Sequence, residues 1–204
     1  MKSVSLWLSL VFLTASCSYA SGQQILLNGD FSSGLDHWSL VQSPGNLVVP
    51  AQPGLFDIAS SGPLGAGNAF YAHIGYDSLV NIQQAAPLLG GFTYNFFADI
   101  ASSTPLYNLD GGTISVFIDG NNLASHSFGA GISKIASLSG SFTPQQSGNA
   151  ILSIFFSRGF LASENSPTDW IDNISLVAVP EPSCLCLGVC GGLLLVSYRR
   201  NYGC

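Results

Sequence analysis

Hydrophobic and polar positions alternate with a period of two along most of the chain. The run Phe92-Thr93-Tyr94-Asn95-Phe96-Phe97-Ala98-Asp99-Ile100 places Phe92, Tyr94, Phe96, Ala98 and Ile100 on one face of a strand. Thr113–Ile118 alternates in the same way and runs into Asp119-Gly120-Asn121-Asn122, which reads as a turn. Ala150–Phe156 and Trp170–Val177 predict two further strands. Weaker alternation marks Gln24–Asn28, Trp38–Gln42, Ala69–Ile74, Leu79–Gln84 and Lys134–Phe142. No stretch of this body shows the 3.6-residue period of an amphipathic helix, and no fixed-period repeat is visible. About nine to eleven short strands at close spacing predict an all-β chain, folded as an antiparallel β-sandwich or jelly roll.

Composition sharpens this picture. Of 204 residues, 23 are Gly and 10 are Pro, dense punctuation for short strands and poor material for helices. Charged residues make up 8% against roughly 25% in an ordinary soluble domain. A mean hydropathy of +0.39 excludes disorder driven by charge. The net charge of −6, with only five Lys and Arg, excludes a nucleic-acid partner, because no basic stripe exists to neutralise phosphates. Three of those five bases, Lys2, Arg199 and Arg200, sit at the extreme ends. The stretch 21–179 therefore sets ten acids against Lys134 and Arg158, and it contains no cysteine. Such a body has no disulfide framework.

Both ends read as targeting segments. Lys2, the apolar run Val4–Leu13 and Ser18-Tyr19-Ala20 form a secretory signal peptide over residues 1–20, cut before Ser21 by signal peptidase. The apolar run, about ten residues long, falls well short of the roughly 20 that span a bilayer. The other end reads Val179-Pro180-Glu181-Pro182-Ser183, an apolar run Cys184–Val196, and Ser197-Tyr198-Arg199-Arg200. Pro-x-Pro ends the preceding domain as an extended peptide. The apolar run predicts a short transmembrane helix, and Arg199 and Arg200 orient its end toward the cytoplasm.

This three-part tail, residues 180–204, resembles the PEP-CTERM sorting signal of Gram-negative bacteria, with Pro180-Glu181-Pro182 as the namesake motif. The resemblance implies an inner-membrane intermediate, processing by a membrane-embedded exosortase, and delivery to the cell surface or extracellular matrix. Cys184, Cys186 and Cys190 depart from the Leu, Ala and Gly usual in such helices.

The body carries a second resemblance. It opens with Ile25-Leu26-Leu27-Asn28-Gly29-Asp30-Phe31-Ser32-Ser33-Gly34-Leu35-Asp36-His37-Trp38, carries Leu138-Ser139-Gly140-Ser141-Phe142-Thr143, and closes with Trp170-Ile171-Asp172-Asn173-Ile174-Ser175-Leu176. In this order the phrases resemble the jelly rolls of carbohydrate-binding modules of the family 4/9 and galactose-binding-like group. The resemblance implies that the first and last strands are neighbours and that a structural calcium ion sits between them. Asp172 is the ligand candidate on the last strand, and Asp30 contributes through its carbonyl or side chain. Asp172 shares its alternation phase with Trp170, Ile174 and Leu176, which points it toward the core. A carboxylate there needs a partner, either calcium or backbone N–H groups.

Other chemistry is poorly supported. His37, His73 and His126 lie far apart without zinc spacing, and no nucleophile elbow or paired-carboxylate constellation is recognisable. Sugar recognition uses exposed aromatic rings flanked by amides and carboxylates, for which Tyr71, Tyr76, Tyr94, Tyr107, Asn108 and Asp110 are candidates. The expected protein is exported, processed at both ends and non-catalytic, with a structural or adhesive β-sandwich over residues 21–179. A carbohydrate-binding module engaging exopolysaccharide is the alternative reading, and a secreted hydrolase the second. The sorting motif gives the first prediction. Replacing Pro180 and Pro182 by Ala leaves the protein in the inner membrane with its tail intact. Fractionation and C-terminal immunodetection check it, and a processed, surface-located variant would overturn the sorting reading.

Overall fold

Each alternating stretch of the sequence becomes a strand, with one exception at the front of the body. The computed structural model describes residues 22–43, 56–74, 79–104, 111–129, 133–158 and 167–179. The predicted signal segment 1–20 and the sorting tail 180–204, with Pro180, Glu181, Pro182, Arg199 and Arg200, lie outside the described residues. Residues Gln24–Val177 form one compact unit.

Ten strands follow in order: β1 Ser39–Ser43, β2 Phe56–Gly62, β3 Gly65–His73, β4 Leu79–Leu88, β5 Tyr94–Ser103, β6 Gly112–Ile118, β7 Asn121–Phe128, β8 Ser133–Phe142, β9 Gly148–Ser157 and β10 Thr168–Ala178. They form two five-stranded sheets, ordered β1-β4-β9-β6-β7 and β2-β3-β10-β5-β8. The strand pairings whose register is defined are antiparallel. The chain is therefore an antiparallel β-sandwich. Its inward positions fill the space between the sheets: Val80, Ile82 and Leu88 of β4, Ile114, Val116 and Ile118 of β6, and Leu152, Ile154 and Phe156 of β9 on one side. Phe70 of β3, Tyr94, Phe96 and Ile100 of β5, and Ile171, Ile174 and Leu176 of β10 supply the other. The four-residue turn expected after β6 is shorter than that. Asp119 and Gly120, both at positive φ (47° and 77°), make a two-residue hairpin turn, and Asn121 already pairs with Ile118.

The exception is Gln24–Asn28. This leading segment makes one isolated bridge, Gln24 with Val177, and is otherwise held by side-chain amides. Gln24 Nε2 donates to Ile174 O (3.0 Å), and Gln24 Oε1 accepts from Leu176 N (2.8 Å). On the other side, Gln84 Oε1 accepts from Leu27 N (2.7 Å), and Gln84 Nε2 donates to Leu27 O (2.9 Å). A primary amide carries one acceptor and one donor side by side, so each glutamine mimics a peptide group of a neighbouring strand. Backbone bonds from Ile25 N to Leu176 O and from Ile174 N to Gly29 O (2.9 Å each) complete the attachment to β10.

Behind this segment the turn Asn28–Trp38 closes on itself. Asn28 (φ 51°) donates to the carbonyls of Gly34 and Asp36 and accepts from Ser33 N, while Trp38 Nε1 donates to Asn28 O (3.0 Å). Its apolar centre, Phe31, is fully buried and joins a chain of rings. Phe31 lies 5.7 Å from Trp38 and 6.0 Å from Phe70, and Phe70 lies 5.3 Å from Phe156 on the opposite sheet. The leading turn is thus a plug in the open end of the sandwich.

Gln84 sits at an inward position of β4 and is buried. Gln84→Ala leaves the N–H and carbonyl of Leu27 without their partner, a loss of about 1–3 kcal/mol. Urea unfolding of wild type and variant measures it, and an unchanged midpoint would show that the amide clamp contributes nothing.

Candidate functional site

Three places on this scaffold gather polar or aromatic side chains. The first is the junction between the leading turn and β10. Along β10 the buried positions are Asp169 and Ile171, then Asp172, Ile174, Leu176 and Ala178, so the alternation slips by one residue. Asn173 takes up the slip with φ 51°. This corrects one expectation. Asp172 does turn inward with Ile174 and Leu176, but Trp170 lies on the outward side. Below the slip, β10 pairs with β3 (Thr168–Ile171 with Phe70–His73). Above it, the same edge is taken by the leading segment. Gly29 touches the Ile174 carbonyl so closely that no side chain fits there.

Asp172 Oδ1 accepts from the N–H of Asn173 (2.7 Å), and Asn173 Nδ2 donates to Asp99 Oδ2 on β5 (2.9 Å). Asp30 is exposed, and its Oδ1 accepts from both the N–H (3.2 Å) and the hydroxyl (2.9 Å) of Ser32. These two bonds from Ser32 hold the Asp30 carboxyl below its ordinary range. Asp172 moves the other way. Burial pushes its pKa up, the negative charges of Asp30 and Asp99 push further, and the Asn173 N–H opposes them. Asp99 is a member of this junction that the sequence did not flag, because its place in β5 reads as an ordinary outward position.

The donor set fits a hard cation in charge and falls short in number. Calcium takes six to eight oxygens, whereas among the described residues no three His, Cys, Asp or Glu lie close enough to hold a metal. The carbonyls of Asn28, Gly29 and Phe31 already accept bonds within the protein.

The second place is the outward face of the β1-β4-β9-β6-β7 sheet. Register aligns Val41, Asn81, Phe155, Ser115 and Ser125 in one row across all five strands, and Ser39, Gln83, Ser153, Phe117 and Asn122 in the next. Phe117 and Phe155 meet edge to face, with centroids 5.2 Å apart and planes at 84°. Paired hydroxyls flank them, Ser115 with Ser125 and Thr113 with Ser127, at 2.8 Å each. Asn81 stands beside Phe155 at an outward position, yet it is 95% buried and its Oδ1 has no partner among the described residues. No residue of these two rows is charged. The sequence hid this face because it is assembled from one or two positions on each of five strands.

The third place is the outward face of the other sheet, where Tyr71, Trp170 and His73 lie together. Tyr71, expected as a sugar contact, is half-buried there. Tyr94, expected likewise, is a core residue: it is 2% exposed, and its hydroxyl accepts from Leu89 N at 2.8 Å. That position removes it from any binding face. Tyr76, Tyr107, Asn108 and Asp110 lie outside the described residues. His37 is exposed, His126 packs edge-on to Phe128, and His73 bonds through Nδ1 to the Thr168 hydroxyl (2.8 Å). Arg158 and Asp169 are buried charged residues that alternation did not distinguish.

No protein-family model and no curated protein matches the chain. Solved structures do. The enzymatically active domain of tailspike protein 4 from bacteriophage CBA120 superposes with a TM-score of 0.52 at 15% identity, over 76% of this chain and 21% of that one. The CBM22-1–CBM22-2 tandem of Paenibacillus barcinonensis Xyn10C superposes with a TM-score of 0.52 at 9% identity, over 80% of this chain and 47% of that one. A family 61 carbohydrate-binding module solved with β-1,4-galactotriose gives 0.48 at 13% identity, over 78% of this chain and 99% of that one. The chain thus spans about a fifth of the tailspike domain and just under half of the tandem. At these identities the likeness establishes the jelly-roll fold.

The Asp172 shift gives a signed prediction. A carboxyl whose pKa is raised by folding binds its proton more tightly in the native state, so its contribution to stability is present in acid. That contribution is lost as pH rises from the unfolded value of 3.8 through the raised one. In chelator, Asp172→Asn keeps the acceptor for Asn173 and removes the charge, so its melting temperature at pH 7 exceeds wild type. The difference shrinks on acidification below the carboxylate range. A variant less stable than wild type in chelator at pH 7 would contradict the burial argument.

Proposed function

We propose that this chain is an exported, non-catalytic carbohydrate-binding protein. Its β-sandwich engages an uncharged stretch of exopolysaccharide on the outward face of the β1-β4-β9-β6-β7 sheet. The observation that carries this reading is the Phe117–Phe155 pair on the outward face, flanked by the hydroxyl pairs Ser115–Ser125 and Thr113–Ser127. A pyranose offers an apolar face to aromatic rings and hydroxyls to amides, and this face supplies both, with no charged residue in either row. Gln83, Ser153 and Asn122 in the adjoining row extend the polar contacts along the strand direction. The jelly-roll likeness to a carbohydrate-binding tandem supports the same reading.

Sorting belongs to the proposal as well. The signal-peptide pattern of residues 1–20 and the resemblance of residues 180–204 to a PEP-CTERM tail support export, exosortase processing and delivery to the cell surface or extracellular matrix. We also propose calcium as a structural ion at Asp172 and Asp30. The negative charges of Asp30 and Asp99 that act on the half-buried Asp172 carboxyl are what a cation there would offset. The ion stabilises by about 2.7 kcal/mol at 100 times its dissociation constant. In that case millimolar calcium reverses the order found in chelator, and wild type becomes more stable than Asp172→Asn.

Glycan-array screening followed by calorimetry on the purified protein tests the binding face. Phe155→Ala and Phe117→Ala each weaken binding by about tenfold or more, on the scale of one stacked ring. Circular dichroism confirms the fold of each variant. Wild-type failure to bind any neutral glycan, or unchanged affinity in both variants, would overturn the assignment.

A further inference from the structure

The outward face of the β2-β3-β10-β5-β8 sheet carries a different arrangement. Register sets Asp57 of β2, Tyr71 of β3 and Trp170 of β10 side by side in one row. The Tyr71 and Trp170 rings lie 4.9 Å apart with planes at 39°, which makes one continuous aromatic surface across two strands. Each ring is placed by a specific feature. Trp170 reaches over Gly62, where a Cβ would come within 2.8 Å of its ring, so only glycine leaves the indole flat against the sheet. Tyr71 is braced by His73, edge-on at 5.4 Å, and the Thr168 hydroxyl fixes the imidazole through Nδ1. Asp57 is exposed. Its Oδ1 accepts the N–H of Ile58 (2.8 Å), which orients the carboxylate beside the phenol.

Trp170 faces outward in register with Tyr71, whereas beyond the slip at Asp172–Asn173 the buried side of β10 is taken by Asp172, Ile174 and Leu176. The two sheet faces therefore differ in charge. The two rows holding Phe117 and Phe155 carry no charged residue, whereas this row sets a carboxylate beside two electron-rich rings in a body with ten acids and two bases.

We propose that the Asp57–Tyr71–Trp170 row is a second binding site, specific for a saccharide that carries a protonated primary amine. A cation held over aromatic faces is attracted by the ring quadrupoles, and the Asp57 carboxylate completes the charge pairing. The acidic surroundings repel uronates and phosphorylated sugars. With both faces occupied, one molecule bridges a neutral and an amine-bearing polysaccharide.

The test uses the purified protein with glucosamine hexamer and N-acetylglucosamine hexamer, read by calorimetry at low and high salt. Glucosamine hexamer binds saturably, its affinity falls with added salt, and the N-acetylated oligomer binds at least about tenfold more weakly, since acetylation removes the charge. Asp57→Asn, which keeps the acceptor for Ile58 and is exposed, weakens glucosamine-hexamer binding by about tenfold. Trp170→Ala abolishes it, and Gly62→Ala weakens it by lifting the indole. Phe155→Ala leaves it unchanged, so failure here is separate from failure of the neutral face. Equal affinity for the two oligomers, or no effect of Asp57→Asn and Gly62→Ala in folded variants, would overturn the proposal and leave only diffuse attraction to an acidic protein.

Discussion

One edge of β10 serves two partners in succession, and the rest of the molecule depends on that sharing. From Thr168 to Ile171 the edge is bonded to β3; from Ile174 to Val177 it is bonded to the leading segment. Two partners approaching one strand from different directions cannot both meet an unbroken pleat. The backbone slips one residue at Asp172–Asn173, with Asn173 at φ 51° absorbing the change. Below the slip Asp169 and Ile171 face the core and Trp170 faces out. Above it Asp172, Ile174 and Leu176 face the core.

The leading segment is held by groups that are rarely counted as sheet-forming. Two side-chain amides hold it, Gln24 of the segment bonding the β10 backbone and Gln84 of β4 bonding Leu27, each offering one donor and one acceptor. A buried peptide group must find a partner, and here two glutamines stand in for backbone. The ring chain Trp38–Phe31–Phe70–Phe156 adds the apolar half of the attachment. Deep burial of Phe31 with satisfied backbone groups makes the plug part of the core.

The same slip divides the chemistry of the two faces. It sends a carboxylate inward beside Asp30 and Asp99, where burial and like charge make it a costly anion. Below it an indole faces outward beside Tyr71 and Asp57. The opposite sheet lacks such a break in its central strand, and its outward rows stay neutral. Their aromatic and amide groups meet only because the antiparallel registers of β4, β9 and β6 bring Asn81, Phe155 and Ser115 into one line. Both surfaces are rigid, since their side chains stand on hydrogen-bonded strands and not on loops.

The all-β class and eight of the ten strands, all but β2 and β7, were legible in the residues themselves, because a period of two in Tyr94–Ile100, Thr113–Ile118 and Ala150–Phe156 suits a half-buried strand and little else. The positions of Asp172 and Asp30 near one another followed from the resemblance of the first and last phrases, and the structure does bring them to one junction. Period-two reading failed where a long-range contact overrode it. It put Trp170 on the side of Asp172, since nothing local announces a slip imposed by a second partner strand. It offered Tyr94 as a surface ring, although its hydroxyl is taken by Leu89 N. Gln24–Asn28 read as a strand, but much of its attachment runs through the side-chain amides of Gln24 and Gln84, joining residues 57 to 152 positions apart. The sequence determined which residues alternate and therefore which elements form. Strand order and register decided which of those residues share a face, because such neighbours lie on different strands and are set only when the sheets close.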